Sequence, residues 1–218
     1  MLNKILKLEY VMKLESGLHI GGSEDSFDIG GADSTVIKNP LNNRPYIPGS
    51  SLKGKIRALL TQKYGTLIQK GNEKYSLEIS DPTLKCIFTP LGDGSEKEGV
   101  LQISRAIFRD ATLTEKSARV VQDYLGEGIF TEIKAENSID PLKGKASNPR
   151  FIERIPAGAL LEGEVILQVF EGDDEEKMKT YLLEGLNLLG MNYLGGSGTR
   201  GYGRISYPDG LEFKEVIL

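Results

Sequence analysis

The chain has 218 residues, of which 39% are hydrophobic and 27% charged, and its formal net charge is −4. This length suits one large domain with a sizeable insertion. The single cysteine, Cys86, excludes an intramolecular disulfide framework, and together with the single histidine, His19, it argues against a conventional zinc site. No apolar run is long enough for a transmembrane helix and residues 1–14 lack a signal-peptide core, so we expect a cytoplasmic protein with no membrane partner.

The charge is unevenly distributed along the chain. Residues 1–64 hold nine Lys or Arg against six Asp or Glu, whereas the remaining residues hold 18 against 25. Salt confines the field of an exposed charge to about 10 Å. A modestly acidic total therefore does not exclude a local basic groove that binds nucleic acid.

The first predicted element is a strand. Apolar and polar residues alternate over residues 6–15, which is the period of a half-buried β-strand. The sequence Gly-Leu-His-Ile-Gly-Gly at 17–22 should end it. His19 is either a hydrogen-bonded loop residue or a donor to a phosphate, and as the only histidine it excludes any mechanism that needs two imidazoles.

A glycine-rich, acidic loop follows at residues 23–39. Within it, Asp33 presents a carboxylate beside small residues. Such a group could hold a divalent ion or accept a proton from a hydroxyl, although an Asp in this setting often only caps a turn.

A helix is predicted after Pro48, with Ser50 or Ser51 capping its first free amides. Its apolar stripe comprises Leu52, Ile56, Leu59 and Leu60. Its cations are Lys53, Lys55 and Arg57. Because Gly54 allows a close backbone approach, this helix start could bind phosphates. The alternative is an ordinary amphipathic helix with solvated cations.

Residues 65–99 contain several turn signals and are predicted to form an irregular insertion over the core. Strands are predicted at 100–108 and 160–170, and the second shows clear alternation. A second amphipathic helix is predicted at 173–189, with Gly190 as its stop.

Between those two strands, residues 126–157 are predicted to form a protruding β-hairpin. Its arms at 131–137 and 149–155 flank a tip that contains Pro and Gly. Its cations are Lys134, Lys143, Lys145, Arg150 and Arg154. The apolar residues that could wedge beside a base are Leu142, Phe151 and Ile152. The alternative is a hairpin that is simply solvated.

The densest glycine run occupies residues 193–204. Its glycines formally match a dinucleotide-binding fingerprint, but that motif must follow a strand and open a helix. Here the run follows a helix and opens a strand at 204–207, so we reject that reading. Together with Arg200, Tyr202 and Arg204, the loop is better suited to an RNA backbone and a stacked base.

The predicted order of elements is that of two βαβ units with long insertions. This pattern indicates an α+β, ferredoxin-like (RRM-like) palm that carries a β-hairpin thumb.

Four segments in this order resemble the RAMP superfamily of CRISPR-associated proteins, and within it the repeated backbone subunits of type III-A (Csm) interference complexes. They are Gly-Leu-His-Ile-Gly-Gly at 17–22, Ile-Pro-Gly-Ser-Ser-Leu-Lys-Gly-Lys-Ile-Arg at 47–57, Glu-Asn-Ser-Ile-Asp at 136–140 with Asn-Pro-Arg at 148–150, and Leu-Gly-Gly-Ser-Gly-Thr-Arg-Gly-Tyr-Gly-Arg at 194–204. The resemblance extends from about residue 8 to 205 and implies a single RAMP domain over residues 1–218.

The resemblance implies that copies of the chain stack along a guide RNA (crRNA), with the hairpin acting as a thumb that kinks the guide–target duplex. Target RNA would be cut at regular intervals, with Asp33 as the catalytic and metal-binding residue and Mg²⁺ or another divalent cation as cofactor. Guide contacts would carry over to His19, Lys53, Lys55, Arg57, Arg200 and Arg204. Implied partners also include the large polymerase/cyclase-like subunit and the small helical subunit.

One departure from the family matters. Some relatives carry a Cys/His cluster that binds zinc in the insertion, whereas this chain has only Cys86 there, so we expect no zinc. Two other functions stay open at this stage. One is an RNA-binding backbone subunit without catalysis, and the other is a guide-processing endoribonuclease that uses His19 as a general base.

Overall fold

The computed structural model describes residues 1–22, 32–70, 74–89 and 103–216. The strands are β1 (Leu2–Leu14), β2 (Tyr46–Ile47), β3 (Thr66–Lys70), β4 (Lys74–Glu78), β5 (Ala106–Phe108), β6 (Ala111–Leu113), β7 (Glu132–Ile139), β8 (Ala146–Arg154), β9 (Leu160–Phe170), β10 (Ile205–Ser206) and β11 (Lys214–Val216). The helices are α1 (Gly49–Tyr64), α2 (Pro82–Phe88), α3 (Glu115–Leu125) and α4 (Glu175–Met191), with a short 3₁₀ turn at Gly198–Arg200.

The central sheet is antiparallel and is built on the long pair β1 and β9, whose register runs from Leu2 opposite Phe170 to Lys13 opposite Leu160. Strand β10 flanks β1, whereas β5 and β6 flank β9. The order β10-β1-β9-β5 is that of a ferredoxin-like sheet, in which α1 links β1 to β5 and α4 links β9 to β10. The α+β, ferredoxin-like prediction is therefore confirmed.

The helices α1 and α4 pack together over the buried face of this sheet. The predicted inward residues of β1 and β9 and the apolar stripe of α1 are all buried there. Gly185 of α4 packs against Ile56 and Leu60 of α1, where any side chain would overlap the Ile56 methyl group. The two-residue and helical periods in the sequence therefore identify the core correctly.

Strands β7 and β8 form a separate two-stranded sheet, paired from Glu132 opposite Arg154 to Ile139 opposite Ala146. All ten residues from 141 to 150 are exposed. The hairpin thus leaves the body of the domain as predicted, and its tip makes little contact with the rest of the chain.

The prediction that residues 65–99 are irregular is wrong for most of the described part. Strands β3 and β4 form a hairpin, and α2 buries Leu84 together with its three last residues. The Asp81 side chain accepts a hydrogen bond from the Leu84 amide, and Pro82 occupies the first turn. An Asp-Pro pair is typical of turns, but the same pair also begins helices, as Asp81 and Pro82 do here. Residues 90–99 lie outside the described residues.

Three smaller corrections concern element ends. Neither Ser50 nor Ser51 caps α1; instead, the Asp110 carboxylate accepts a hydrogen bond from the Gly49 amide at 2.8 Å. Helix α4 continues through Gly190 to Met191. The strand predicted at 100–108 is limited to β5 among the described residues, and residues 100–102 lie outside them.

Helix α3 was not predicted from the sequence. Thr114 caps it by accepting a hydrogen bond from the Ser117 amide, and its buried residues include Ala118 and Val121. Among the described residues, no helix is long and apolar enough to cross a membrane.

Candidate nucleic-acid interface

The exposed residue Asp33 is attached to the root of the hairpin. Its amide donates to the Phe151 carbonyl at 2.8 Å, and the Phe151 amide donates back to Asp33 Oδ2 at 2.7 Å. The next residue, Ser34, forms a parallel bridge with Ile152. Because backbone groups make most of these bonds, the position of the hairpin root fixes the position of the carboxylate.

His19 joins the same two segments. Its Nδ1 lies 2.7 Å from the Glu153 carbonyl oxygen and its Nε2 lies 3.1 Å from Ser34 Oγ. A carbonyl only accepts, so Nδ1 carries a proton, and in a neutral ring Nε2 would then accept from the Ser34 hydroxyl. Of the two alternatives for His19, the structure shows the first, a loop residue that is hydrogen-bonded within the protein. A guide contact at His19 remains a prediction.

The carboxylate of Glu153, which sequence reasoning missed, lies at the centre of this junction. Glu153 is 7% exposed, and its carboxylate accepts from the Val36 amide at 2.8 Å and from Thr131 Oγ1 at 2.5 Å, and pairs with Lys38. Burial alone would raise the pKa of Glu153, but these donors and the Lys38 charge together lower it. Two of its partners lie 115 and 117 residues away in the sequence, so no local sequence pattern predicts this junction.

The glycine-rich loop lies against the His19 loop. The Gly196 amide donates to the His19 carbonyl at 2.8 Å. Gly195 has a φ of +74°, and a Cβ there would overlap the same carbonyl. Glycine is therefore needed at 195 for both its backbone conformation and its close approach.

The same loop also contacts α1. The Tyr193 ring packs directly on Gly198, where any Cβ would overlap it, and Lys55 Nζ lies 3.7 Å from the ring centroid. Burial lowers the pKa of Lys55. The helix cations Lys53 and Arg57 form no ion pair with any described residue, and a Cβ at Gly54 would meet nothing within 4 Å. This surface of α1 is therefore open to an anion.

The stacking role predicted for Tyr202 is wrong in this structure. Its ring is 2% exposed, and its hydroxyl donates to Glu136 Oε1 at 2.7 Å. Lys134 Nζ lies 4.7 Å and Arg154 Cζ 5.2 Å from the ring centroid. Burial and Glu136 together raise the pKa of Tyr202. A ring enclosed in this way joins the glycine-rich loop to the hairpin and has no free face for a base.

The other predicted cations divide into two groups. Arg200 and Arg204 are exposed on the glycine-rich loop, where Arg200 lies 3.5 Å from Glu136. The second group is exposed on the hairpin and comprises Lys143, Lys145 and Arg150. The structure thus brings the His19 loop, Asp33, the glycine-rich loop and α1 into one contiguous region. It places the tip cations Lys143 and Lys145 beyond that region, whereas Arg150 immediately precedes Phe151 at the hairpin root.

Asp33 could serve as the one protein ligand of a hydrated cation. Mg²⁺ usually keeps several waters and binds one or two carboxylates together with substrate phosphates. Asp33 is exposed, and only its Oδ2 receives a hydrogen bond from a described residue. Across residues 1–22, 32–70, 74–89 and 103–216, no group of three His, Cys, Asp or Glu side chains is arranged to hold a metal ion. The absence of zinc stays a prediction.

Comparisons with known proteins agree with this architecture. The model of the RAMP superfamily matches residues 11–206. The chain is 41% identical over 207 residues to the CRISPR system Cms endoribonuclease Csm3 of Streptococcus thermophilus, covering 93% of this chain and 86% of that protein. It is 42% identical over 205 residues to the protein of the same name from Methanocaldococcus jannaschii, covering 93% and 78%.

Among solved structures, the chain resembles a chain of the Csm3–Csm4 subcomplex of the type III-A CRISPR–Cas interference complex. The two share 28% sequence identity with a TM-score of 0.57, and the alignment covers 99% of this chain and 82% of that one. The family model spans residues 11–206, which include all four motif segments, and each of the two relatives aligns with 93% of the chain. The chain therefore belongs to the RAMP superfamily.

Proposed function

We propose that this chain is a repeated backbone subunit of a type III-A CRISPR RNA-guided complex and that it cleaves target RNA beside Asp33. The observation that carries the proposal is that an exposed carboxylate lies at the hairpin root, in the same region as the open cationic face of α1 and the glycine-rich loop. The relatives named endoribonuclease support the reaction class.

In this proposal the palm binds the guide backbone. Lys53, Arg57 and the loop residues Arg200 and Arg204 supply charge to phosphates, and Lys55 is held near them by Tyr193. These groups recognise the backbone and not base edges, so the sequence would be read by base pairing between guide and target. Such binding allows one subunit to be repeated along any guide sequence.

Cleavage would proceed by attack of a ribose 2′-oxygen on the adjacent phosphorus. The bond from phosphorus to the 5′-oxygen breaks, the 2′-hydroxyl proton is lost, and the departing 5′-oxygen gains a proton. The products are a 2′,3′-cyclic phosphate and a 5′-hydroxyl. The Phe151 amide holds the Asp33 carboxylate in place, ready to accept the hydroxyl proton or to hold a cation.

We further propose that the reaction depends on Mg²⁺ or another divalent cation. A bound cation supplies charge stabilisation at the phosphate oxygens. Asp33 Oδ1, which accepts no hydrogen bond from a described residue, is the oxygen suited to hold it. The hairpin contributes by imposing the RNA geometry that in-line attack requires.

The proposed partners are crRNA, target RNA, further copies of this chain, and the large polymerase/cyclase-like and small helical subunits. The proposed location is the cytoplasm. A guide-processing role with His19 as general base is disfavoured, because both ring nitrogens are already hydrogen-bonded within the protein.

The test compares Asp33→Asn and Asp33→Ala with the parent chain in the assembled complex. An asparagine can still accept the hydrogen bond from the Phe151 amide but carries no charge, so RNA binding should be retained while target cutting stops. The products are separated on denaturing gels with and without EDTA. If the Asp33→Asn complex cuts at the same positions, the catalytic assignment is wrong and the non-catalytic backbone role remains. Cutting by the parent complex in EDTA would rule out the metal.

A further inference from the structure

Three extended segments lie side by side at the hairpin root. Ser34 bridges Ile152 in parallel, and Ala135 of β7 lies directly opposite Phe151 of β8. Bridged residues share a face and neighbours along a strand alternate. Asp33, Ala135 and Phe151 are therefore on one face, and burial agrees, since these three are exposed whereas Ile152 is 8% exposed.

The Phe151 side chain on that face is open. It is 45% exposed, and its ring contacts no aromatic or cationic group among the described residues. The residue opposite it, Ala135, is too small to cover it. The exposed part of the Phe151 ring therefore offers an apolar surface beside the Asp33 carboxylate.

A nearby charge favours a nucleic acid as the occupant. Arg150, the residue before Phe151, is exposed and forms no ion pair with a described acid. An aromatic face beside an unpaired cation matches a base with its phosphate, because a base stacks on the ring while the cation meets the backbone.

We propose that Phe151 is the stacking platform for an unpaired base of the target RNA, that of a nucleotide flanking the linkage at Asp33. This inference rests on the proposed function. The Phe151 backbone holds the Asp33 carboxylate and its side chain would hold the base, so one residue sets the register between the base and the reacting linkage. Because every base has a π-face, the platform would accept all four bases.

The substitutions suited to a test are Phe151→Leu, Phe151→Ala, Phe151→Tyr and Phe151→Trp in the assembled complex. All four keep the two backbone hydrogen bonds to Asp33. Stacking on one aromatic side chain is worth about 1–3 kcal/mol per base, so Leu and Ala should slow single-turnover target cleavage by about 5- to 150-fold. Tyr and Trp should stay near the parent rate. Tyr124→Leu, which removes an aromatic ring that is 85% exposed on α3, is the matched control and should have no effect.

A second readout reports stacking directly. The chain contains no tryptophan, so Phe151→Trp introduces a new quencher beside the proposed base. In an Asp33→Asn background, 2-aminopurine at the flanking target position should be quenched more with Trp at 151 than with Leu. Equal fluorescence, equal slowing by Leu and Tyr, or parent rates with Leu and Ala would overturn the platform. If Asp33→Asn itself still cuts, the proposed function fails instead.

Discussion

Replacing Glu153 by Gln should destabilise the fold by an amount that the structure allows us to estimate. The change keeps the shape of the side chain but removes the charge that faces Lys38. The two side chains are 10% and 27% exposed, so the pair is more buried than a surface salt bridge. Hydrogen bonds to a charged group contribute about 1.5–3 kcal/mol, and breaking a fully buried pair costs about 3–5 kcal/mol. We expect a loss of about 2–3 kcal/mol.

Urea unfolding of the purified chain at pH 7 measures this loss. Glu162→Gln on β9 is the matched control, because Glu162 is exposed and forms no ion pair with a described residue, and it should change stability by less than about 0.5 kcal/mol. A double-mutant cycle with Lys38→Met isolates the pair and should show at least about 1 kcal/mol of coupling. A loss as small as that of the control, or a cycle without coupling, would refute the reasoning.

The same variant makes a prediction about pH. The pKa of Glu153 is lowered in the folded chain, so its ionised form stabilises the fold above the unfolded pKa of about 4.3. That contribution is lost as the pH falls through the lower, folded pKa. The difference between parent and Glu153→Gln should therefore be full at pH 7 and shrink below about pH 4. A difference that grows towards acid would contradict the assigned direction.

Two further predictions concern the proposed RNA-binding surface. Gly198→Ala should lower the free energy of unfolding in urea by about 1–3 kcal/mol, because its Cβ would displace Tyr193 from Lys55. The control Gly54→Ala adds a Cβ that meets nothing within 4 Å and should stabilise α1 by about 0.5–1 kcal/mol. Equal effects of the two substitutions would contradict the packing argument. Replacing the three exposed hairpin cations by Ala should reduce the magnitude of the slope of log K for RNA binding against log salt concentration by about 2. An unchanged slope would show that these cations do not contact phosphate. Those cations are Lys143, Lys145 and Arg150, and the exposed control set is Lys74, Lys85 and Lys116.

The sequence alone determined the parts of this protein that depend on local pattern. The two-residue period of β1 and β9 and the helical stripes of α1 and α4 predict which side chains form the core, because burial on one face imposes that period. The four motif segments indicate the superfamily, and they do so through residue identity and order without any geometry.

Tertiary structure decided what local pattern leaves open. Tyr202 looks like a stacking residue in sequence, yet side chains of the distant hairpin enclose it. Asp33 is visible as a loop carboxylate, but only the pairing with Phe151 shows what orients it. The Glu153 junction has no sequence signal, because the fold brings two of its partners, Val36 and Lys38, from more than a hundred residues away. Contacts of that range follow from topology, which periodicity does not encode.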